Sequence, residues 1–394
     1  MKTKLGRRVT ELIGLDYPVF QGGMAWLGTA ELVAAVSAAG GLGVIGAGGM
    51  PASWVGEQVA KVRAATGRPF GVNVLLVSPH AAEVIDLVCR ERVPVVSTGA
   101  GNPGPHVARF KAAGIKVIPV VSSAALAVRL VRAGADAVVA EGCESGGHIG
   151  ESTTMALLPQ MVDALTAAGT PVPVIAAGGI ADGRGAAAAF ALGAEGVQMG
   201  TRFVCSTECI AHPAYKQAIL GAGDRSTAVT GQSTGHPVRA IRNPFTREFE
   251  RLEAAGTPKS ELERIGAGRF RAAAIEGDVA HGTVIAGQIS GLVRRVEPAA
   301  AIIQRTIREA EVILSRLGRE TQWTPPILRT PIPAASWPSC SPVREPKPRG
   351  WGSTSPAPTR RRPGWSSRPP TVSWGSASAA SSPLVTSACW PRPR

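Results

Sequence analysis

The sequence predicts a (β/α)₈ barrel of the TIM type, with a smaller inserted subdomain over the barrel mouth and a disordered C-terminal tail. Three observations support this fold class. Short β-branched runs alternate with Ala/Leu-rich segments of helical spacing through the first 205 residues. Glycines gather where the predicted strands end. The composition changes abruptly near residue 323, where Pro, Arg, Ser and Trp begin to dominate.

The repeating units are eight in number, which favours a closed parallel barrel. The predicted strands are 18–21, 42–46, 70–76, 93–98, 115–121, 137–141, 172–177 and 196–201. The predicted helices between them include 29–39, 52–65, 81–90, 123–133, 154–168 and 182–192. A doubly wound sheet is the alternative, but the glycine run 40–43 precedes a strand, whereas a dinucleotide-binding loop follows one.

The alternation is lost after residue 205. Segments 211–220 and 260–276 are predicted to be helical, 286–292 to return to the barrel, and 299–317 to form a closing helix. We therefore divide the chain into a barrel (1–205), an inserted substrate-covering subdomain (206–282), a return with a closing helix (283–322) and a low-complexity basic tail (323–394).

The tail differs in kind from the rest of the chain. From residue 325 onward it holds 16 of the 32 prolines, five of the eight tryptophans, ten basic residues and one acid, Glu345. Such a segment buries too little apolar surface to offset its ordering entropy, so we expect disorder. It is either a basic interaction tail, a disordered appendage or a frame-shifted reading of GC-rich DNA. We favour the last of these and expect the tail to be dispensable.

Charge and composition narrow the classes of function. The tail carries a net charge of +9 of the formal +14, which leaves +5 for the first 324 residues. A mildly basic body suits anionic cofactors and does not require nucleic acid. We expect no membrane span and no signal peptide. The six cysteines form no C-x-x-C pair, which favours a cytoplasmic protein. Cys205 and Cys209 have helical spacing without a third ligand, so no metal site is predicted.

Two glycine-containing runs are predicted to bind a phosphate. Ala177-Gly-Gly-Ile-Ala-Asp182 lies between the seventh strand and its helix, and Gly200-Thr201 ends the eighth strand. In these barrels the loops after strands seven and eight commonly hold phosphate through main-chain N–H groups. Either run alone is as well explained by a tight turn, but together on adjacent strands they favour phosphate binding.

His148 is the strongest candidate for a catalytic residue. It lies in Gly146-Gly-His-Ile-Gly150, just beyond the sixth strand, where flanking glycines leave little packing to explain it. Imidazole titrates near neutral pH and suits acid–base catalysis. A solvent-exposed loop histidine is the alternative. Cys143 nearby is interpreted as a small buried cysteine and not as a nucleophile.

At these motifs the sequence resembles the flavin-dependent enoyl-acyl-carrier-protein reductases of the FabK type, within the nitronate monooxygenase and 2-nitropropane dioxygenase-like group. The resemblance covers about residues 5–320. It rests on runs in fixed order at 17–26, 70–73, 97–102, 140–150, 176–183, 198–203, 238–243 and 286–292. The tail has no counterpart in this group.

The resemblance implies bound FMN in the barrel, NADH or NADPH as hydride donor, and a trans-2-enoyl thioester of acyl carrier protein or CoA as acceptor. It also implies a possible monovalent cation and a homodimer. His148 would lie beside the flavin ring and the substrate. The implied cofactor contacts are Gly22, Gly23, Met24, Ala25, Asn73, Glu141, Gly146, Gly147, Ala177, Gly178, Gly179, Met199, Gly200, Thr201 and Gln288.

Two alternatives remain open at this point. A nitronate monooxygenase would use the equivalent histidine to abstract the proton next to a nitro group, and the Gly-Gly-His motif serves both reactions. The runs at 21–26 and around Glu141 favour the enoyl reductase. A basic nucleic-acid-binding protein, the other alternative, would show no flavin absorbance and salt-sensitive binding.

Overall fold

The computed structural model describes residues 3–320. The predicted tail, 323–394, lies outside the described residues. Among the helices of the described range, none combines the length and the apolar character that a membrane crossing requires.

Eight parallel strands form the barrel, as the sequence predicts. They are β1 (Val19–Gln21), β2 (Gly43–Gly46), β3 (Phe70–Leu75), β4 (Val95–Gly99), β5 (Lys116–Val121), β6 (Val138–Glu141), β8 (Val174–Ala177) and β9 (Gly196–Met199). Neighbours follow the order β1-β9-β8-β6-β5-β4-β3-β2. The circle closes between β1 and β2, where the Gln21 N–H donates to Leu42 O and the Leu42 N–H donates to Val19 O, both at 2.9 Å.

The helices of the barrel fill the connections. They are α1 (Arg7–Ile13), α2 (Ala30–Ala38), α3 (Ala52–Ala65), α4 (Ala81–Arg90), α5 (Gly104–Ala112), α6 (Ala124–Arg132), α7 (Thr154–Ala167), α8 (Gly183–Ala191), α9 (Thr201–Val204) and α14 (Ala299–Glu320). The six helices predicted within the barrel are confirmed, with ends that differ by at most one residue. The predicted strand 196–201 was too long, because Thr201 already begins α9.

The barrel interior is filled from the strands and closed from one end. Val44, Val95 and Val139 project inward with residues of the other strands, while Val9 and Leu15 of the N-terminal segment join the same cluster. Side chains alternate along a strand, so their neighbours pack outward against the helices. The interior is therefore a packed core, and the carboxyl ends of the strands are left for a binding site.

The inserted region is a mixed structure that the sequence only partly predicts. Its elements are α10 (Pro213–Leu220), β10 (Thr227–Thr230), β11 (Val238–Ile241), α11 (Pro244–Ala254), α12 (Lys259–Gly266) and α13 (Arg269–Ala274). The predicted helical region 260–276 is present. It is two helices, because Gly268 breaks the run with a φ of +76°.

A short strand of the barrel loop joins the inserted region. Strand β7 (Gly147–His148) pairs antiparallel with β11, which pairs with β10. After this region a 3₁₀ helix (Gln288–Leu292) leads to α14, which packs against α8 and α2 and completes the ring of helices. The predicted closing helix 299–317 is thus present and somewhat longer.

Candidate active site

A cavity of 510 Å³ opens at the carboxyl ends of the barrel strands. This volume lies within the range of about 300–1,000 Å³ that is usual for cofactor and substrate sites. With His148, all the predicted cofactor contacts except Gln288 line it: Gly22, Gly23, Met24, Ala25, Asn73, Glu141, Gly146, Gly147, Ala177, Gly178, Gly179, Met199, Gly200 and Thr201. The fold thus brings together residues that are up to 179 positions apart in the chain.

One side of the cavity, which we call the glycine wall, is made of Gly22, Gly23, Gly178, Gly179 and Gly200. Gly178 and Gly179 have φ values of +87° and +72°, which favour glycine. A Cβ on Gly178 would lie 2.8 Å from the Gly142 carbonyl oxygen. Backbone N–H groups with no side chain in front of them can approach a flat ring or a phosphate closely.

The β1 loop of the glycine wall rests on a polar side chain. A Cβ on Gly23 would lie 2.8 Å from Asn73 Cγ, so the loop approaches strand β3 too closely for any side chain. Asn73 Nδ2 donates to Ser97 Oγ at 3.2 Å, which fixes the amide between β3 and β4. Gly23 and Gly178 are therefore explained by their close approach to neighbouring atoms at the cavity.

Thr201 and Gln288 make hydrogen bonds that hold the segments around the cavity together. Thr201 Oγ1 accepts a hydrogen bond from the Gly287 N–H at 2.9 Å, which ties α9 to the returning segment. The Gln288 N–H donates to Glu144 O at 2.9 Å. The Gln288 side chain is exposed and lies outside the residues that line the cavity. Gln288 thus supports the loop around Glu144 through its main-chain N–H.

Glu141 ends β6 at the floor of the cavity. Burial raises the pKa of its carboxyl group to about 7. A carboxyl group near its pKa can donate or accept a hydrogen bond at neutral pH. This behaviour suits contact with a heteroaromatic ring that carries both N–H groups and carbonyl oxygens.

A second part of the cavity lining, which we call the histidine wall, comprises residues 146–150 and 235–237. A strand ladder joins its two segments: His148 is paired with Val238 and Gly147 with Arg239, and the Ile149 N–H donates to Pro237 O at 3.1 Å. His148 lines the cavity and has an exposed surface there. Burial, together with the neighbouring His236, lowers the pKa of His148, which favours the neutral imidazole at physiological pH.

Arg239 anchors the histidine wall from behind. Its side chain is buried, and Nε donates to Cys143 O at 3.0 Å while one terminal nitrogen donates to Thr227 Oγ1 at 3.2 Å. Burial also lowers the pKa of its guanidinium group and raises the pKa of the Cys143 thiol. The loop after β6 is therefore joined to both strands of the inserted hairpin.

Sequence reasoning missed several residues of the site. His236 faces His148, and Phe270 with Tyr215 adds an aromatic surface from the inserted region. Glu144 accepts the Thr154 N–H with both oxygens, at 2.9 and 3.0 Å, and so holds the loop to the start of α7. The signal for His236 was its place just before the run 238–243.

Comparison with known proteins identifies the family. The family model for nitronate monooxygenase matches residues 7–85 and 81–309, which is most of the described range. The chain belongs to the nitronate monooxygenase family. It is therefore an FMN-dependent oxidoreductase, and the glycine wall fits the flat ring and phosphate of such a cofactor.

Individual relatives and a solved structure are similar to this chain over most of their length. The structure of FabK from Thermotoga maritima has 47% identity and a TM-score of 0.77, covering 81% of this chain and 99% of that chain. A Mycobacterium tuberculosis relative, named (3aS,4S,5R,7aS)-5-hydroxy-7a-methyl-1-oxo-octahydro-1H-indene-4-carboxyl-CoA dehydrogenase, is 41% identical over 68% of this chain and 74% of its own. A protein of Staphylococcus saprophyticus, named probable nitronate monooxygenase, is 34% identical over 79% of this chain and 100% of its own.

Proposed function

We propose that the protein reduces the double bond of trans-2-enoyl thioesters, carried by acyl carrier protein or CoA, in fatty acid synthesis. The observation that carries the proposal is that His148 lines the same cavity as the glycine wall. FMN, when bound, supplies hydride transfer from NADH or NADPH to the β-carbon of the enoyl group, and a proton added at the α-carbon completes the saturated thioester. The remaining tasks, which are binding, orientation and proton handling, fall to the protein.

The two walls divide these tasks. Gly22, Gly23, Gly178, Gly179 and Gly200 would hold the ring and phosphate through the backbone. Glu141 would bind the polar edge of the ring, since its carboxyl group can donate or accept at neutral pH. Because glycine has no side chain, the glycine wall leaves the space in front of the ring free for the substrate.

His148 would act on the thioester. A neutral imidazole has one N–H, which can donate to the thioester carbonyl oxygen. Negative charge grows on that oxygen as the β-carbon is reduced, so the hydrogen bond strengthens in the transition state. An interaction of this kind accounts for about two to three orders of magnitude in rate.

The remaining lining suits an acyl chain. Phe270, Ile285 and Ile289 add apolar surface from the inserted and returning segments. The relatives support the same substrate class: the M. tuberculosis name specifies a carboxyl-CoA substrate, and FabK belongs to the enoyl reductases that the sequence resembles.

Nitronate oxidation is the second candidate. The lowered pKa of His148 favours it, because a neutral imidazole can accept a proton from the carbon next to a nitro group. The S. saprophyticus relative carries the name of this activity. The same histidine thus serves either reaction, and only the substrate decides between them.

The test supplies both substrates to the flavin-loaded protein. We expect NADH or NADPH oxidation with a crotonyl thioester without oxygen, and little oxygen uptake with propionate 3-nitronate under air. Oxygen uptake with the nitronate alone would reverse the ranking, and no turnover with either substrate would reject both candidates. Parallel assays with CoA and acyl-carrier-protein thioesters, NADH and NADPH, and with and without K⁺, resolve the carrier, the donor and the cation requirement.

The His148→Ala variant tests the catalytic role. We expect turnover to fall by about two to three orders of magnitude while flavin absorbance is retained. The matched control is His281→Ala, because His281 is exposed and contacts Asp278 at 3.2 Å outside the cavity lining. Near-normal turnover in His148→Ala would contradict the role. Size-exclusion chromatography and cell fractionation of the source organism test the expected homodimer and the expected cytoplasmic location.

A further inference from the structure

A second histidine lies against the candidate catalytic one. The ring centroids of His148 and His236 are 6.3 Å apart, and the ring planes are perpendicular. Both rings line the cavity. The edge of one ring, where its N–H and C–H bonds lie, is therefore directed toward the face of the other.

The backbone holds the two rings at this separation. His148 is paired with Val238, two residues after His236, and the Ile149 N–H donates to Pro237 O at 3.1 Å. Proline fixes its own φ, which restricts the direction in which the preceding His236 enters the strand. The pair is therefore set by a strand ladder and not by two free loops.

The turn that carries His236 is also anchored. Thr234 Oγ1 donates to Gly231 O at 2.7 Å, and the His236 N–H donates to the same oxygen at 3.3 Å. Helix α11 supplies a carboxylate, Glu253, which accepts the Gly231 N–H at 2.9 Å and the Ser233 hydroxyl at 2.7 Å. His236 is thus held on the histidine wall from two sides.

Most other ionisable groups near the pair are held by hydrogen bonds to other residues. Arg239 lies on the opposite face of β11 from Val238 and donates to Cys143 O and Thr227 Oγ1. Glu144 accepts from Thr154, and the Tyr215 hydroxyl donates to Ile285 O at 2.7 Å. Glu141 lies at the cavity floor, at the end of β6. The ionisable side chains around the pair are thus Glu141, Cys143, Glu144, Tyr215 and Arg239.

We propose that His148 and His236 act as a pair, in which His236 is the positioning residue that disfavours protonation of His148 and keeps its ring directed into the cavity. Two imidazolium rings at this separation repel each other, so protonation of one disfavours protonation of the other. The value of this pairing for catalysis rests on the proposed function, because a neutral His148 is the form that donates to the thioester carbonyl. The pairing itself does not depend on the substrate.

The test follows the imidazole resonances of the flavin-loaded protein labelled in its histidines. His148 is assigned with the His148→Gln variant, and its midpoint is measured by NMR from pH 5 to 8. In His236→Gln we expect the midpoint to rise by about 0.5–1 pH unit toward that of free histidine. In His236→Lys we expect no rise, because a positive charge stays beside His148. The His281→Gln control, at an exposed histidine of the same inserted region, should leave the midpoint unchanged.

The pH profile of turnover supplies a second readout. The acidic limb of kcat/KM for the enoyl thioester should move to higher pH in His236→Gln, in step with the NMR midpoint, and should not do so in His236→Lys. A His148 midpoint that is the same in wild type, His236→Gln and His236→Lys would overturn the pairing. Coupled midpoints without enoyl reduction would leave the pairing intact and reject the proposed function, so the two failures are distinguishable.

Discussion

The two walls of the cavity are built by different means. The glycine wall is made of backbone at the carboxyl ends of β1, β8 and β9. Its shape depends on the absence of Cβ atoms and, after β8, on positive φ angles. The histidine wall presents side chains, and its position depends on a ladder between the barrel loop and a hairpin of the inserted region. One wall is therefore part of the barrel, while the other is shared between two parts of the chain.

This difference separates binding from chemistry. A change in the glycine wall alters the surface that would hold the cofactor, whereas a change in the histidine wall alters the groups that act on the substrate. We therefore expect flavin content to respond to the first wall and turnover at full flavin content to respond to the second. The following variants test how cleanly this division holds.

The largest effect is expected for Gly178→Val. Valine at a φ of +87° is strained by about 1–3 kcal/mol, and its Cβ would lie 2.8 Å from Gly142 O. The backbone strain and the contact with Gly142 O together distort the loop that would hold the phosphate. We therefore expect FMN affinity to fall more than a hundredfold. Flavin absorbance per protein and a titration with FMN measure the loss.

Gly256→Val is the matched control for Gly178→Val. Gly256 has a similar φ of +75°, but its added Cβ meets no atom within 4 Å. Both variants should lose stability to denaturant through strain, and only the variant at the cavity should lose flavin. Equal flavin content in the two proteins would show that the glycine wall is not the cofactor surface.

The same difference explains how far the sequence predicts the molecule. The barrel elements follow from local patterns, because strand and helix periodicity is set by neighbours a few residues away. The glycines of Gly178–Gly179 are found by their place after a strand. The contact between β7 and β11 joins residues about 90 positions apart through a strand of two residues, which no local pattern indicates. His236 lies in a polar turn, so its proximity to His148 becomes visible only in the folded chain.

A smaller effect is expected for Glu141→Gln, and it depends on pH. Folding raises the pKa of Glu141 to about 7, so the folded state binds a proton that the unfolded state releases at lower pH. The stability of the wild type should therefore fall as pH rises from about 4.5 to about 7 and level off above. Glutamine removes this dependence, so the variant should be more stable at pH 8 by about 1–3 kcal/mol.

Urea unfolding of flavin-free protein between pH 5 and 8 measures this difference, since ligand binding then makes no contribution. Glu261→Gln, at an exposed position in α12, serves as the control and should follow the wild type. Parallel pH curves for the wild type and Glu141→Gln would refute the raised pKa. If they diverge as expected, the floor between the two walls contains a carboxyl group that is neutral in mildly acidic solution.

The smallest effect is expected where the β1 loop meets the inserted region. The Arg271 guanidinium carbon lies 5.6 Å from the centroid of the Trp26 ring, and Trp26 has a φ of +62°, which is unusual for a residue other than glycine. A cation–π contact of this kind contributes about 0.5–1 kcal/mol. We expect Arg271→Gln to raise KM for the acyl substrate about two- to fivefold with kcat nearly unchanged, because α13 carries Phe270 of the cavity lining.

Two further variants separate this contact from the ion pair that Arg271 also makes with Glu276. Arg271→Lys keeps a cation near the ring and should retain most of the affinity, while Glu276→Gln removes only the ion pair and should change KM little. Arg264→Gln, at an exposed arginine of the neighbouring helix, controls for the loss of charge. If Glu276→Gln raised KM as much as Arg271→Gln does, the ion pair and not the ring would hold α13 in place. The β1 loop would then be independent of the inserted region, and the two walls would meet only through the ladder that carries His148.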